Sequence, residues 1–258
     1  FSSDFYWRAK VKRIFVRESR QTITFAPMKY EWLFFDLDNT LLDFDKSSDQ
    51  ALTASLQHFG IPPTPEVKAT YHRINKACWD AFEKGELKQE LLNTLRFQRL
   101  LEALGSDQSA EAFGLHYLQG LSQTTFQIAG AMELLQALSG HYQLAIITNG
   151  LKIVQRPHLA ANQMTHFFQA ITVSEEIGSS KPHAPFFAHA MQEAGNPPKE
   201  SVLVIGDSLS SDVKGGIGFG LDTCWFNPKS KTAPSDLQPT HSVQTLPDLA
   251  RLLRPSTP

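Results

Sequence analysis

Trp32-Leu33-Phe34-Phe35-Asp36-Leu37-Asp38-Asn39-Thr40 is the stretch on which the fold turns. Four apolar residues in a row are too few for a helix and read as a strand buried on both faces of a parallel sheet. The strand runs directly into two carboxylates one residue apart. Each loses hydration there and repels the other, so a buried strand ends this way only where something offsets the charge. A bound divalent cation does so most simply. For an isolated D-x-D-x-T, an ordinary Asx-rich turn explains the residues equally well.

Outward from this strand, helix and strand patterns alternate from residue 130 onward. Helices are expected at 131–138, 151–162, 184–194 and 210–219, each followed by a strand, at 143–148, 169–173, 202–205 and 223–226. The tail from Pro228 is rich in Pro, Ser and Thr, with a final helix at 246–253. This alternation predicts an α/β, Rossmann-like parallel sheet flanked by helices, with right-handed crossovers and ligands bound beyond the carboxyl ends of the strands.

Between the first strand and residue 123 the pattern changes. A short irregular segment at 41–46 precedes four helical patterns, at 47–59, 65–84, 87–104 and 107–121, the last weakened by Gly114 and Gly120. Four helices with no strand between them predict an inserted helical-bundle cap, residues 47–122, sitting as a lid over the carboxylates. The catalytic core is then 28–46 together with 123–258.

Residues 1–27 carry six Arg and Lys against Asp4 and Glu18 and show no sustained apolar period. They read as a non-native or flexible leader, with Met28 as a natural start, and are set aside from the fold. A targeting peptide is the second reading. The net charge of -2 over 258 residues gives no electrostatic attraction for a nucleic-acid polymer or an anionic membrane. No apolar run approaches the roughly 20 residues of a membrane span. Cys78 and Cys224 form no framework, so a cytoplasmic protein is expected. His72, His158, His166, His183 and His189 lack the spacing of a zinc site.

The residues that follow the strands share a chemistry. The first strand ends in Asp36 and Asp38, and the second in Thr148-Asn149-Gly150, a hydroxyl and an amide at a helix start that suit an anion. Lys181-Pro182 precedes a helix, and the fourth strand ends in Gly206-Asp207-Ser208, with Asp212 one turn further on. Alone, Asp207 and Asp212 would pass as a helix cap and a solvated residue. Together, carboxylates, one lysine and a hydroxyl at one sheet edge make a receptor for a phosphoryl group and a hard cation, with Mg²⁺ the best fit.

Asp36-x-Asp38-x-Thr40, Thr148, Lys181 and Gly206-Asp207-x-x-x-x-Asp212 resemble the four motifs of the haloacid-dehalogenase-like superfamily, cap included. In that resemblance an aspartate at position 38 marks phosphatases rather than dehalogenases. Ile147-Thr148-Asn149-Gly150, Ser174-Glu175-Glu176-Ile177-Gly178, Gly215-Gly216-Ile217 and Thr223-Cys224-Trp225-Phe226-Asn227-Pro228 are similar to the bacterial house-cleaning pyrimidine 5′-nucleotidases. So are Asn75-Lys76-x-x-Trp79 and Arg96-Phe97 in the cap, while Gly218-Phe219 and Ala129-Gly130 depart from that pattern.

The resemblance implies phosphate-monoester hydrolysis through an aspartyl-phosphate on Asp36, with Asp38 as acid and then base. It implies Mg²⁺ on Asp36, the Asp38 carbonyl and Asp207, with Asp212, Thr40 and Ser208 in support. Thr148, Asn149 and Lys181 would hold the phosphoryl oxygens. In the cap, Trp79 and Phe82 are candidates to stack on a base and Arg96 to touch base or ribose; all three also fit plain helix packing. The expected substrate is a pyrimidine nucleoside monophosphate (UMP, dUMP or dTMP). The alternatives are a sugar-phosphate phosphatase, for example on N-acylneuraminate 9-phosphate, and a non-catalytic regulator that binds a phosphorylated ligand. The oligomeric state is not legible.

Overall fold

A computed structural model describes residues 29–253. The expected leader lies outside them, as do the chain's last residues. The elements, in order, are β1 (Trp32–Phe35), α1 (Phe44–His58), α2 (Pro65–Glu83), α3 (Gln89–Ala103), α4 (Ala110–Ser122) and α5 (Ala131–Leu138). There follow β2 (Gln143–Thr148), α6 (Lys152–Ala161), β3 (Ala170–Val173), α7 (Ser174–Ile177), α8 (Ala184–Glu193) and β4 (Val202–Gly206). The chain closes with α9 (Lys214–Phe219), β5 (Asp222–Phe226), β6 (His241–Val243) and α10 (Leu246–Leu253).

Among the described residues the strands pair in parallel throughout, in the order β3-β2-β1-β4-β5-β6. β1 lies in the middle, with Phe35 opposite Ile146 of β2 and Ile205 of β4. Its period of two divides its side chains between two cores. Leu33 and Phe35 pack with Leu134 and Leu135 of α5 and Leu249 of α10. Trp32 and Phe34 pack with Phe186, Phe187 and Ala190 of α8. This is why the apolar run is unbroken: both faces are covered. The strand order reverses direction between β1 and β4, and a ligand crevice opens at such a point.

Helices α1–α4 follow β1 and carry a third cluster, built on Tyr71, Phe97, Phe113 and Tyr117, which Leu151 and Val154 at the start of α6 join. Gly114, which weakens α4 on propensity, is where Phe97 packs: a Cβ there would lie 2.9 Å from the Phe97 ring and 3.1 Å from the Asn93 carbonyl. The first helix begins at Phe44 rather than 47, because the Asp43 carboxylate accepts from Lys46 N at 3.0 Å and caps it. The expected helix 210–219 is divided into a π-turn, Leu209–Val213, and α9. The short α7 and β6 are additions to the expected elements. No helix among the described residues is long and apolar enough to cross a membrane.

His158 on α6 is wholly buried. Thr124 Oγ1 donates to Leu121 O at 2.9 Å and so accepts from His158 Nε2 at 2.9 Å, while Nδ1 has no partner. Burial therefore holds the imidazole neutral and pushes its pKa from 6.5 down to about 4. The unfolded chain takes up the proton first, so this contribution is complete above pH 6.5 and is lost as the pH falls toward 4. The unfolding free energy of the wild type relative to His158→Gln is expected to fall by about 2 kcal/mol between about pH 7 and pH 5 in urea titrations. A difference that does not change with pH would contradict a neutral buried imidazole.

Candidate active site

Four segments meet at the carboxyl edge of the sheet. Asp36 leaves β1 with its N–H bonded to Ile205 O of β4 at 2.8 Å, which fixes the backbone where the two strands part. Its Oδ1 accepts from Lys181 Nζ at 2.7 Å and its Oδ2 from Thr40 Oγ1 at 3.1 Å, all three residues being buried. The turn that brings Thr40 back is made by Asn39, in the left-handed region at φ 60°, whose N–H reaches Leu42 O at 2.7 Å. Asp38, on the same side of the extended backbone, accepts from Gln155 Nε2 at 2.8 Å through Oδ2, while its Oδ1 has no partner. Burial, reinforced by the charge of Asp36, pushes the Asp38 carboxyl up to about 7.

Lys181 is 1 % exposed and uses all three ammonium protons: on Asp36 Oδ1, on Ile147 O at 2.7 Å, and on Asp212 Oδ1 at 2.6 Å. Burial works against its charge, but Asp212 and Asp36 outweigh it and hold the ammonium above its ordinary range. The loop that carries Lys181 is tied to the end of β2. Asn149 Nδ2 donates to Lys181 O, and Lys181 N donates to Asn149 Oδ1, each at 2.8 Å. The Asn149 side chain thus ties this loop to the end of β2 through both its oxygen and its nitrogen. Thr148 is buried beside it, with Oγ1 accepting from Gly150 N at 3.1 Å.

The π-turn after β4 explains the five-residue gap between Asp207 and Asp212. Ser208 Oγ accepts from Ser211 N at 3.2 Å, and Asp212 folds back so that Oδ2 accepts from Ser208 N at 3.1 Å. Gly206 makes room for this: a Cβ there would lie 2.2 Å from Asp212 Oδ2. The Asp207 backbone is pinned by Trp225 Nε1 on its carbonyl at 2.9 Å. Asp36, Asp207 and Asp212 present oxygens that all lie within 4.8 Å of one another. Burial and the charges of Asp36 and Asp212 push the Asp207 carboxyl well above the usual range.

These groups line a cavity of about 260 Å³ that Trp79, Arg96 and Phe44 of the helical insert also border. Arg96 is buried, with its Cζ 4.7 Å from the Phe97 ring centroid, Nη1 on Asn75 Oδ1 at 2.8 Å, and Nε without a partner. Phe82 does not reach the cavity. It packs edge-on against Trp79, 5.7 Å between centroids, and faces another cleft with Leu87 and Ser179. A residue three positions from Trp79 on α2 cannot be told from it by spacing alone, because helix rotation decides which ring faces the cavity. Sequence reasoning missed Gln155, Trp225 and the side-chain use of Asn149. A glutamine on an amphipathic helix reads as solvated, and no local pattern announces the other two.

The profile of the haloacid dehalogenase-like hydrolases matches residues 33–226, a span that holds all four segments. Pyrimidine 5′-nucleotidase PynA of Streptococcus pneumoniae is 38% identical over 224 residues, 86% of this chain and 94% of that protein. Pyrimidine 5′-nucleotidase YjjG of Escherichia coli is 34% identical over 228 residues, 88% of this chain and 99% of that protein. The crystal structure of the HAD-hydrolase YfnB from Bacillus subtilis bound to magnesium superposes with a TM-score of 0.83 at 34% identity, covering 88% of this chain and 99% of that one.

Proposed function

We propose that this chain, which belongs to the haloacid dehalogenase-like hydrolases, is a Mg²⁺-dependent 5′-nucleotidase acting on pyrimidine nucleoside monophosphates of the UMP, dUMP and dTMP class. One observation carries the reading. A single cavity receives Asp36, Asp38 and Asp207 from the strand ends, Lys181 from the loop before α8, and an indole and a buried guanidinium from the helical insert. The first set suits a phosphoryl group, and the second suits a planar, carbonyl-bearing base. Free, buried Cys78 and Cys224 fit a reducing cytoplasm.

The donor set fits a magnesium ion: hard oxygens converge, and Asp207 is held toward its neutral form by burial and by the charges of Asp36 and Asp212, a surplus of negative charge that a divalent cation would relieve. Asp36, Asp207 and the Asp38 carbonyl would hold it. Asp212, with its two oxygens on Lys181 and Ser208 N, orients the lysine instead. Bound there, the ion supplies neutralisation of phosphoryl charge.

Asp36 attacks phosphorus, its carboxylate oxygen forming the new bond as the ester oxygen departs. Asp38 gives its proton to that departing oxygen. It then takes a proton from the water that attacks the aspartyl-phosphate, and inorganic phosphate leaves as the Asp36–phosphorus bond breaks. Lys181 neutralises charge on nucleophile and phosphoryl group, while Thr148 and the Asn149 N–H bind phosphoryl oxygens. Helices α1–α4 serve as the lid that selects the leaving group, through Trp79 and Arg96.

With Mg²⁺, the purified protein is expected to favour dUMP, dTMP and UMP over hexose, N-acylneuraminate and small-acid phosphates by about tenfold or more in kcat/KM. Preference for a sugar phosphate would move the assignment to that class. Failure on every ester, p-nitrophenyl phosphate included, would leave a phosphate-binding regulator. Excess EDTA is expected to abolish turnover and added Mg²⁺ to restore it. Undiminished turnover in EDTA would remove the metal.

A further inference from the structure

Gln155 is 2 % exposed, on the second turn of α6, and its one hydrogen bond from Nε2 goes to Asp38 Oδ2 at 2.8 Å, across 117 residues of chain. It reaches Asp38 only because residue 150 is glycine. A Cβ at Gly150 would lie 1.9 Å from Gln155 Nε2 and 2.4 Å from its Cδ, an overlap that no small shift removes. Beside this contact, Asp38 Oδ1 is left buried and unpartnered where Asp38 borders the cavity.

We infer that Gln155 is a positioning residue for the proton transfer, seated by Gly150, which occupies Asp38 Oδ2 so that Oδ1 is the oxygen that carries and delivers the proton. A carboxyl oxygen accepts from an amide N–H more strongly as the carbonyl oxygen than as the hydroxyl, so the Gln155 bond on Oδ2 favours the proton on the other oxygen. Oδ1 is that other oxygen, and among the described residues no group bonds to it. The same bond holds the carboxyl plane, so Oδ1 faces the ester oxygen in the first step and the attacking water in the second. Glycine after Thr148-Asn149 therefore does more than open an anion-binding turn. It clears the space through which α6 reaches the first strand. The inference rests on the phosphatase reading and adds to it a residue at the cavity wall that acts through Asp38.

Leaving-group dependence separates this role from a structural one. kcat/KM reports transfer of the phosphoryl group to Asp36, the step in which the leaving oxygen is protonated. A nucleoside is a poor leaving group and needs that proton, whereas p-nitrophenolate departs without it. Gln155→Met, which keeps the shape and loses the donor, is expected to lower kcat/KM for dUMP by about 10- to 100-fold while changing that for p-nitrophenyl phosphate less than about threefold. Gly150→Ala reaches the same end by displacing Gln155 and is expected to lower kcat/KM for dUMP at least as much, with the double variant no worse than the poorer single one. Equal losses on both esters in folded Gln155→Met, or no loss on dUMP in either folded variant, would overturn the inference and leave the phosphatase reading standing. A wild-type protein that hydrolyses neither ester would overturn both.

Discussion

Asp36→Asn is expected to lower kcat at least about 10³-fold while leaving the protein folded. An amide has the shape of the carboxylate but no electron pair basic enough to attack phosphorus. The substitution disturbs little else. The Asn oxygen still accepts from Thr40 or Lys181, Lys181 keeps Asp212 and Ile147 O, and the backbone tie to Ile205 is untouched. Removing one negative charge from beside Asp207 and Asp212 also relieves repulsion, so the unfolding free energy is expected to stay within about 1 kcal/mol of wild type. Activity above a few per cent of wild type in a clean preparation would remove Asp36 as the nucleophile.

Lys181→Met is expected to act on both activity and stability. Methionine fills the same volume and donates nothing, so Asp36 Oδ1, Asp212 Oδ1 and Ile147 O lose their common donor in one step. Breaking a buried pair from one side costs about 3 kcal/mol or more, because the stranded charge remains. Turnover is expected to fall about 10²-fold or more, as the phosphoryl group loses its ammonium and the nucleophile its neighbour. The two effects are separable. Adding Asp212→Asn to Lys181→Met removes a stranded carboxylate and is expected to recover part of the stability but none of the activity. A double variant that recovers turnover would mean that Lys181 works only by balancing Asp212.

The sheet was legible because Trp32–Phe35 and Gln143–Thr148 have the length of strands and the apolar density of strands covered on both faces. The groups proposed to hold phosphate and metal were legible because Asp36, Asp38, Thr148 and Asp207 each stand at the end of a strand, so that order along the chain becomes adjacency in space, while Lys181 comes from the loop between α7 and α8. Contacts that bring together distant parts of the chain were not. Gln155 and Asp38 are 117 residues apart, and the amide bonds between Asn149 and Lys181 cross 32. Nothing in either neighbourhood signals the other. β6 escaped because His241–Val243 is three residues long and only Val243 is buried. Phe82 follows the helix-packing alternative, because the rotation of α2 turns Trp79 toward the cavity and leaves Phe82 packed edge-on against it.

Phosphoryl transfer to the chain itself is the most direct test. Wild-type protein mixed briefly with a nucleotide labelled in its phosphate, stopped in acid and mapped by peptide mass, should carry the label on Asp36, and Asp36→Asn protein should carry none. Label on any other residue, or an Asp36→Asn protein that still releases phosphate, would contradict the account.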